Sequence, residues 1–274
     1  MRAYSAAQGE MTNQNDHAMT QAMNQVIAAL RPGLELETIS NARDLGGLAA
    51  RAGRRVKHGK LYRSANPALA CAADLDRLHA LALDIVVDFR SAGEKSPAES
   101  VFGQRFQWLA VPVLDGTMSM DVLMPRVKAS SPAQMHAFMV DVYRDFPVRY
   151  GDAFGAFLRH AEAGKTLLYH CTAGKDRTGF ASLLLLGVLG VAHDDIVANY
   201  LESNHWNASL NERILAGVGQ YGVSAEVMKP LLDVRPEYLE ASMDAIGKTY
   251  GSIEGFVGDY LKIDLDRLRG HYLD

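Results

Sequence analysis

Only two cysteines occur in the 274 residues, Cys71 and Cys171. Two thiols cannot build a disulfide framework, so the fold must stand on its core. Long apolar runs are missing as well. Residues 183–189 are apolar, but Gly187 interrupts them, Gly190 bounds them, and they fall far short of the ~20 residues a membrane helix needs. No N-terminal apolar segment of signal length is present. A reducing cytoplasm is the default setting, with export by a route that leaves no recognisable signal peptide still open. Basic charge is not in excess: the net charge of −4 offers no global positive surface to nucleic acid or to an anionic membrane. No internal repeat is evident. What remains is 48% hydrophobic and 22% charged, which suits one sizeable globular domain or a domain with a subdomain. Such a chain buries a full core without staples.

Any attraction for anions must then be local, and residues 165–191 supply it. Thr166-Leu167-Leu168-Tyr169 has the length and composition of a buried strand, and residues 179–189 have those of a buried helix. His170-Cys171-Thr172-Ala173-Gly174-Lys175-Asp176-Arg177-Thr178 joins them. The first amides of a helix lack intrahelical partners and point into the preceding loop, where the helix dipole adds positive charge. Loop amides of Thr172, Ala173, Gly174, Lys175 and Asp176 can nest around an oxyanion. Gly174 lets the backbone approach closely. Arg177 can grip two oxygens with its planar fork. Cys171 sits at the bottom of this positive bowl, which favours the thiolate. A thiolate facing a bound phosphate is a nucleophile aimed at phosphorus.

Around this unit the pattern predicts a poorly ordered tail with a short helix over residues 1–33, the helix at 21–30. Strands follow at 35–39, 60–63, 84–89 and 106–113, with a helix at 74–82. Helices are expected at 120–145 and 147–163, and after residue 191 the reading is helical throughout: 194–204, 209–217, 225–232, 236–250, 252–262 and 264–271. Met118, Met120, Met124, Met135 and Met139 read as core filler, the alternative being a lid or an adaptable binding surface. Strands with helices first, then helices alone, argue an α/β fold with a central, largely parallel sheet and a helical half packed on it.

His170 to Gly179 resembles the phosphate-binding loop of the cysteine-dependent protein tyrosine phosphatase superfamily. The chain looks most like the atypical bacterial branch that acts on phosphotyrosine, phosphoserine/threonine and phosphoinositides. Asn41-Ala42-Arg43-Asp44-Leu45-Gly46-Gly47, Leu61-Tyr62-Arg63-Ser64-Ala65, Val86-Val87-Asp88-Phe89-Arg90-Ser91 and Val234-Arg235-Pro236-Glu237-Tyr238-Leu239 resemble that branch in the same order. The likeness covers residues 34–274. It implies a phosphatase domain over that span, with a helical cover of the active site at 192–233. It also implies phosphomonoester hydrolysis through a phosphocysteine, needing no cofactor or metal. The implied partners are phosphorylated proteins, with phosphoinositides as further candidates and neither nucleic acid nor stable membrane insertion.

On this reading Cys171 is the nucleophile, and Arg177 holds the phosphate and stabilises its equatorial charge. Three aspartates compete as general acid: Asp176, matching the position the bacterial branch uses, then Asp115 on a loop after a strand, and Asp88. Thr178 either donates to the thiolate or caps the helix. His170 reads as a structural histidine that fixes the loop. Lys175 is a rim charge suited to a second phosphate or an inositol ring. Arg63, Asp88 and Arg90 form a second layer behind the loop or a structural ion pair. Cys71 reads as a small apolar residue, the alternative being a resolving cysteine for Cys171. Three rivals remain: a dedicated inositol phosphate or phosphoinositide phosphatase, a phospho-binding pseudoenzyme, and an arsenate reductase, which needs more cysteines than Cys71 provides.

Overall fold

The computed structural model describes residues 33–68, 70–114 and 120–274. The expected N-terminal tail and helix, Asp115 and Met118 lie outside the described residues. Five strands form one sheet: β1 (Arg43–Asp44), β2 (Leu61–Ser64), β3 (Ile85–Asp88), β4 (Trp108–Ala110) and β5 (Leu167–His170). Their order is β1-β2-β5-β3-β4, with β5 at the centre. All neighbours run parallel except β1, which pairs antiparallel with β2.

Side-chain alternation along the strands divides the core into two layers. Leu61, Ile85, Val87, Leu167 and Tyr169 face the larger layer, while Tyr62, Val86 and Leu168 face the smaller. The smaller layer is closed by α1 (Ala72–Ala80) and α2 (Ser100–Arg105), through Leu78 and Phe102. The larger is filled by α4 (Pro132–Arg149), α5 (Gly151–Glu162) and α6 (Asp176–Leu189), whose Leu183 to Leu186 are all fully buried. Each such leucine contributes about 1.5–3 kcal/mol from burial. The helical half follows: α7 (His193–Trp206), α8 (Ala208–Gly217), α9 (Ala225–Leu232), α10 (Pro236–Tyr250) and α11 (Leu265–Tyr272). Before α4 lies α3 (Met120–Ala129). Val127 and Met135 join Val218, Val223 and Met228 in a separate small core between these helices. Met135 and Met139 are fully buried filler. No described helix is long and apolar enough to cross a membrane.

Three sequence expectations change. Residues 35–39 form no strand, because the Glu37 and Thr38 amides are taken by the Asp74 carboxylate at 2.7 and 2.8 Å instead of a strand partner. The expected helix at 120–145 is two helices, separated where Ser131 and Gln134 make a capping box ahead of Pro132. The strand at 106–113 shortens to Trp108–Ala110, although the amides of Val111 and Val113 still bond the carbonyls of Asp88 and Phe89.

Candidate active site

Cys171 follows β5, the central strand, and is 2% exposed. In parallel sheets ligands gather at this carboxyl edge. Helix α6 begins five residues later at Asp176, with Lys175 in the flanking position. Between them the loop turns its carbonyls outward. Thr172 O accepts from the Asn66 amide at 3.0 Å. Ala173 O accepts from Asn41 Nδ2 and Asn207 Nδ2 at 2.9 and 3.1 Å. Gly174 O accepts from Asn41 Nδ2 and Arg63 Nη2 at 2.8 and 2.9 Å. Among the described residues none of the amides of residues 172–175 has a hydrogen-bond partner. The unpaired first amides of α6 continue the same surface. Gly174 makes the turn possible. It lies at φ +64°, and a Cβ there would stand 2.2 Å from the Ser64 carbonyl oxygen.

Arg177, in the first turn of α6, is 4% exposed. Its Nη1 and Nη2 each donate to the Glu94 carboxylate at 2.7 Å, and Thr172 Oγ1 donates to Glu94 Oε1 at 2.7 Å. The Ser91 amide and hydroxyl complete the set at 3.0 and 3.1 Å. Burial would push the Glu94 carboxyl up. The hydrogen bonds and charge of Arg177, aided by Thr172 and Ser91, reverse that and hold it at about 2. Burial opposes the charge on Arg177 too, and Glu94 outweighs it, so the guanidinium is held more firmly protonated than usual. Its Nη1 also reaches Phe89 O and Val113 O, and Nη2 reaches Thr172 Oγ1, each at 3.4 Å, while Nε donates to nothing among the described residues.

Glu94 was not singled out from the sequence. Its signal was Ser91-Ala92-Gly93-Glu94, a capping box directly after β3, which the structure contains. Arg90 and Asp88 support that turn, and Asp88 Oδ1 lies 3.8 Å from His170 Nδ1. Arg90 is buried in a bidentate pair with Asp88 at 3.0 Å, bonds Glu99 at 2.7 Å, and donates to Glu94 O at 3.4 Å. Arg63, by contrast, meets the loop directly through Gly174 O, with its other arm on Asn199 Oδ1 at 3.0 Å. His170 is fully buried, and its Nδ1 donates to Cys171 O at 3.1 Å. Burial, more than the opposing Asp88 charge, holds its imidazole down at about 4, so it is neutral near pH 7.

Asp176 is 8% exposed. Tyr143 Oη donates to its Oδ1 at 2.9 Å, and Lys175 Nζ stands 3.6 Å from its Oδ2. Lys175 is itself buried, and its ammonium donates to Leu231 O at the end of α9. It is thus tied to the helical half and does not stand free at a rim. Because α6 starts at Asp176, Thr178 is the helix's third residue and not its cap. Its hydroxyl is buried without a partner among the described residues. Cys71 caps α1, its Sγ accepting from the Asp74 amide at 3.4 Å, and it makes no contact with the loop. Among the described residues no group of three or more His, Cys, Asp or Glu could hold a metal ion. Asn199, Asn207, Tyr143 and Tyr200 belong to this constellation without any local motif to mark them.

A family profile described as the tyrosine phosphatase family matches residues 34–274. The chain belongs to the tyrosine phosphatase family. It is therefore an enzyme, a protein tyrosine phosphatase. A protein of Cupriavidus necator, provisionally named a tyrosine-protein phosphatase, is 65% identical over 243 residues, 89% of each chain. The triple specificity protein phosphatase PtpB of Mycobacterium tuberculosis is 37% identical over 148 residues, 48% of this phosphatase and 54% of that one. The crystal structure of P. aeruginosa TpbA covers 79% of this chain and 88% of that one, at 18% identity and a TM-score of 0.32, a superposition too loose to carry an argument.

Proposed function

We propose that the phosphatase hydrolyses phosphotyrosine, and also phosphoserine/threonine and phosphoinositides, in two steps on the loop between β5 and α6. The observation that carries this reading is the set of unpartnered amides at residues 172–175, between a buried Cys171 and an anchored Arg177. A dianionic phosphate seated there receives the amides, the Arg177 guanidinium and the α6 dipole. Cys171 Sγ attacks phosphorus as the ester P–O bond breaks. Asp176 gives its proton to the leaving oxygen. Water then attacks the phosphocysteine, the P–S bond breaks, and the water's proton passes to the Asp176 carboxylate. Asn41, Arg63 and Asn207 hold the loop open by its carbonyls and touch no substrate. Domain limits of 34–274, with 192–233 covering the site, complete the proposal. The Lys175 bond to Leu231 supports that cover.

The range beyond phosphotyrosine draws support from the triple specificity named for the Mycobacterium relative. Phosphate release without added metal, from phosphotyrosine and phosphoserine peptides and from a series of phosphoinositides, tests it. Cys171→Ser is expected to abolish release from every substrate. Release from lipids alone would overturn the broad reading, and tight binding without release would make the chain a phospho-binding protein. Asp176→Asn is expected to slow alkyl phosphates by about a hundredfold or more and activated aryl phosphates far less. Asp115→Asn is run beside it. Equal losses on both leaving groups in Asp176→Asn would remove Asp176 as the acid.

A further inference from the structure

The mechanism above leaves two buried phenols unused, and both end at Asp176. Tyr143 comes from α4 and Tyr200 from α7, and both are within 1% of full burial. Tyr143 Oη lies 2.9 Å from Asp176 Oδ1, and Tyr200 Oη lies 2.6 Å from Tyr143 Oη. A carboxylate oxygen only accepts, so the Tyr143 hydrogen goes to Oδ1. Having given that hydrogen, Tyr143 accepts from Tyr200. The chain thus has one direction: Tyr200 to Tyr143 to Oδ1. Burial first, then the Asp176 charge, raises both phenols well above their ordinary range, so both keep their hydrogens.

We infer that Tyr143, oriented by Tyr200, is a positioning residue that decides which oxygen of Asp176 carries the acid proton. A protonated carboxyl can hold its hydrogen on either oxygen. With a donor already directed at Oδ1, the hydrogen resides on Oδ2. That oxygen has no hydrogen bond from any described residue, and the nearest cation, Lys175 Nζ, stands 3.6 Å away with a hydrogen committed to Leu231 O. Oδ2, beside the Lys175 ammonium and without a hydrogen bond from a described residue, is the atom placed to protonate a leaving oxygen.

The surrounding packing holds this arrangement in place. A Cβ on Gly179 would come within 2.8 Å of the Tyr200 ring, so the ring lies where only glycine leaves room. Ser242 Oγ donates to the Tyr143 carbonyl at 2.6 Å. The Tyr238 ring lies 5.5 Å from that of Tyr143, its hydroxyl held by Pro230 O at 3.2 Å. The stretch around Tyr238 near the C-terminus, far from the loop in sequence, thereby reaches Asp176 through Tyr143.

The inference rests on Asp176 being the general acid, and the test separates the two. Steady-state kcat and KM are measured for wild type, Tyr143→Phe, Tyr200→Phe and Asp176→Asn on phosphomonoesters running from activated aryl to alkyl leaving groups. Tyr143→Phe keeps the ring and removes both hydrogen bonds of the hydroxyl, the one given to Asp176 Oδ1 and the one taken from Tyr200. Its kcat should fall about tenfold on alkyl phosphates and less than twofold on activated aryl ones, with KM unchanged. Tyr200→Phe should show the same sense with a smaller loss, and it carries the test should Tyr143→Phe fail to fold. A leaving-group-dependent loss in Asp176→Asn with a uniform loss, or none, in the tyrosine variants overturns the positioning role and leaves the acid intact. A uniform loss in Asp176→Asn overturns the acid assignment itself.

Discussion

Glu94 shows how much one side chain contributes to the site. Its carboxylate accepts five hydrogen bonds, two from Arg177, one from Thr172 and two from Ser91. It fixes the guanidinium plane before any substrate arrives, so the reading of phosphate does not have to order a long flexible arginine. Glu94→Gln keeps the size and breaks the charge-assisted pair. We expect kcat/KM for any phosphomonoester to fall by roughly tenfold or more, measured by initial rates. An unchanged kcat/KM would mean that Arg177 needs no anchor. Gly174 is constrained on two counts, by its left-handed φ and by the Ser64 carbonyl 2.2 Å from where a Cβ would stand. Gly174→Ala should cost about 1–3 kcal/mol of stability in urea melts and abolish inhibition by inorganic phosphate. A variant that keeps phosphate inhibition would show that the loop does not need this turn.

Helix α6 does two jobs at opposite ends. Its N-terminus presents amides and Arg177, while its middle, Leu183 to Leu186, is buried on the sheet. Leu184→Ala should cost about 2–5 kcal/mol in the same melts and change kcat little, because the cavity opens away from the loop. Residues 165–191 were legible in the sequence because strand, loop and helix are contiguous, and the apolar runs on either side set the loop between them. The parallel sheet was legible for the same reason, strand by strand. The misread elements are those that a distant side chain decides: residues 37 and 38 gave their amides to Asp74, which no local pattern announces. Likewise Glu94, Asn207 and Tyr143 reach the loop from other elements, and a contact of that kind leaves no period or spacing behind. Asn41 stood in a stretch that resemblance had marked, but its grip on two loop carbonyls was visible only once the fold brought the residue ahead of β1 against the loop that follows β5.

For the molecule as a whole, His170 and Glu94 contribute to the response to acid, beside the depressed carboxyls of Asp74 and Asp88. His170 binds a proton near its ordinary 6.5 when unfolded and only near 4 when folded. The unfolded chain therefore takes up the proton first, and stability present above pH 6.5 is lost as pH falls toward 4. Glu94 acts in the same direction in the next window, from its ordinary 4.5 down to about 2. Each contributes up to about 3 kcal/mol. Urea midpoints should fall steadily from pH 7 to pH 4, and His170→Asn should flatten the upper part of that curve. A flat wild-type profile above pH 4.5 would contradict the burial argument. A different consequence follows from Lys175. Its ammonium belongs to the anion loop and its acceptor, Leu231 O, to the last turn of α9, so a single bond is shared by two parts of the molecule. Thermodynamic linkage then makes their states reciprocal. Whatever factor an anion in the loop applies to the hold on α9, anything that pulls α9 away must apply in return to the affinity for that anion.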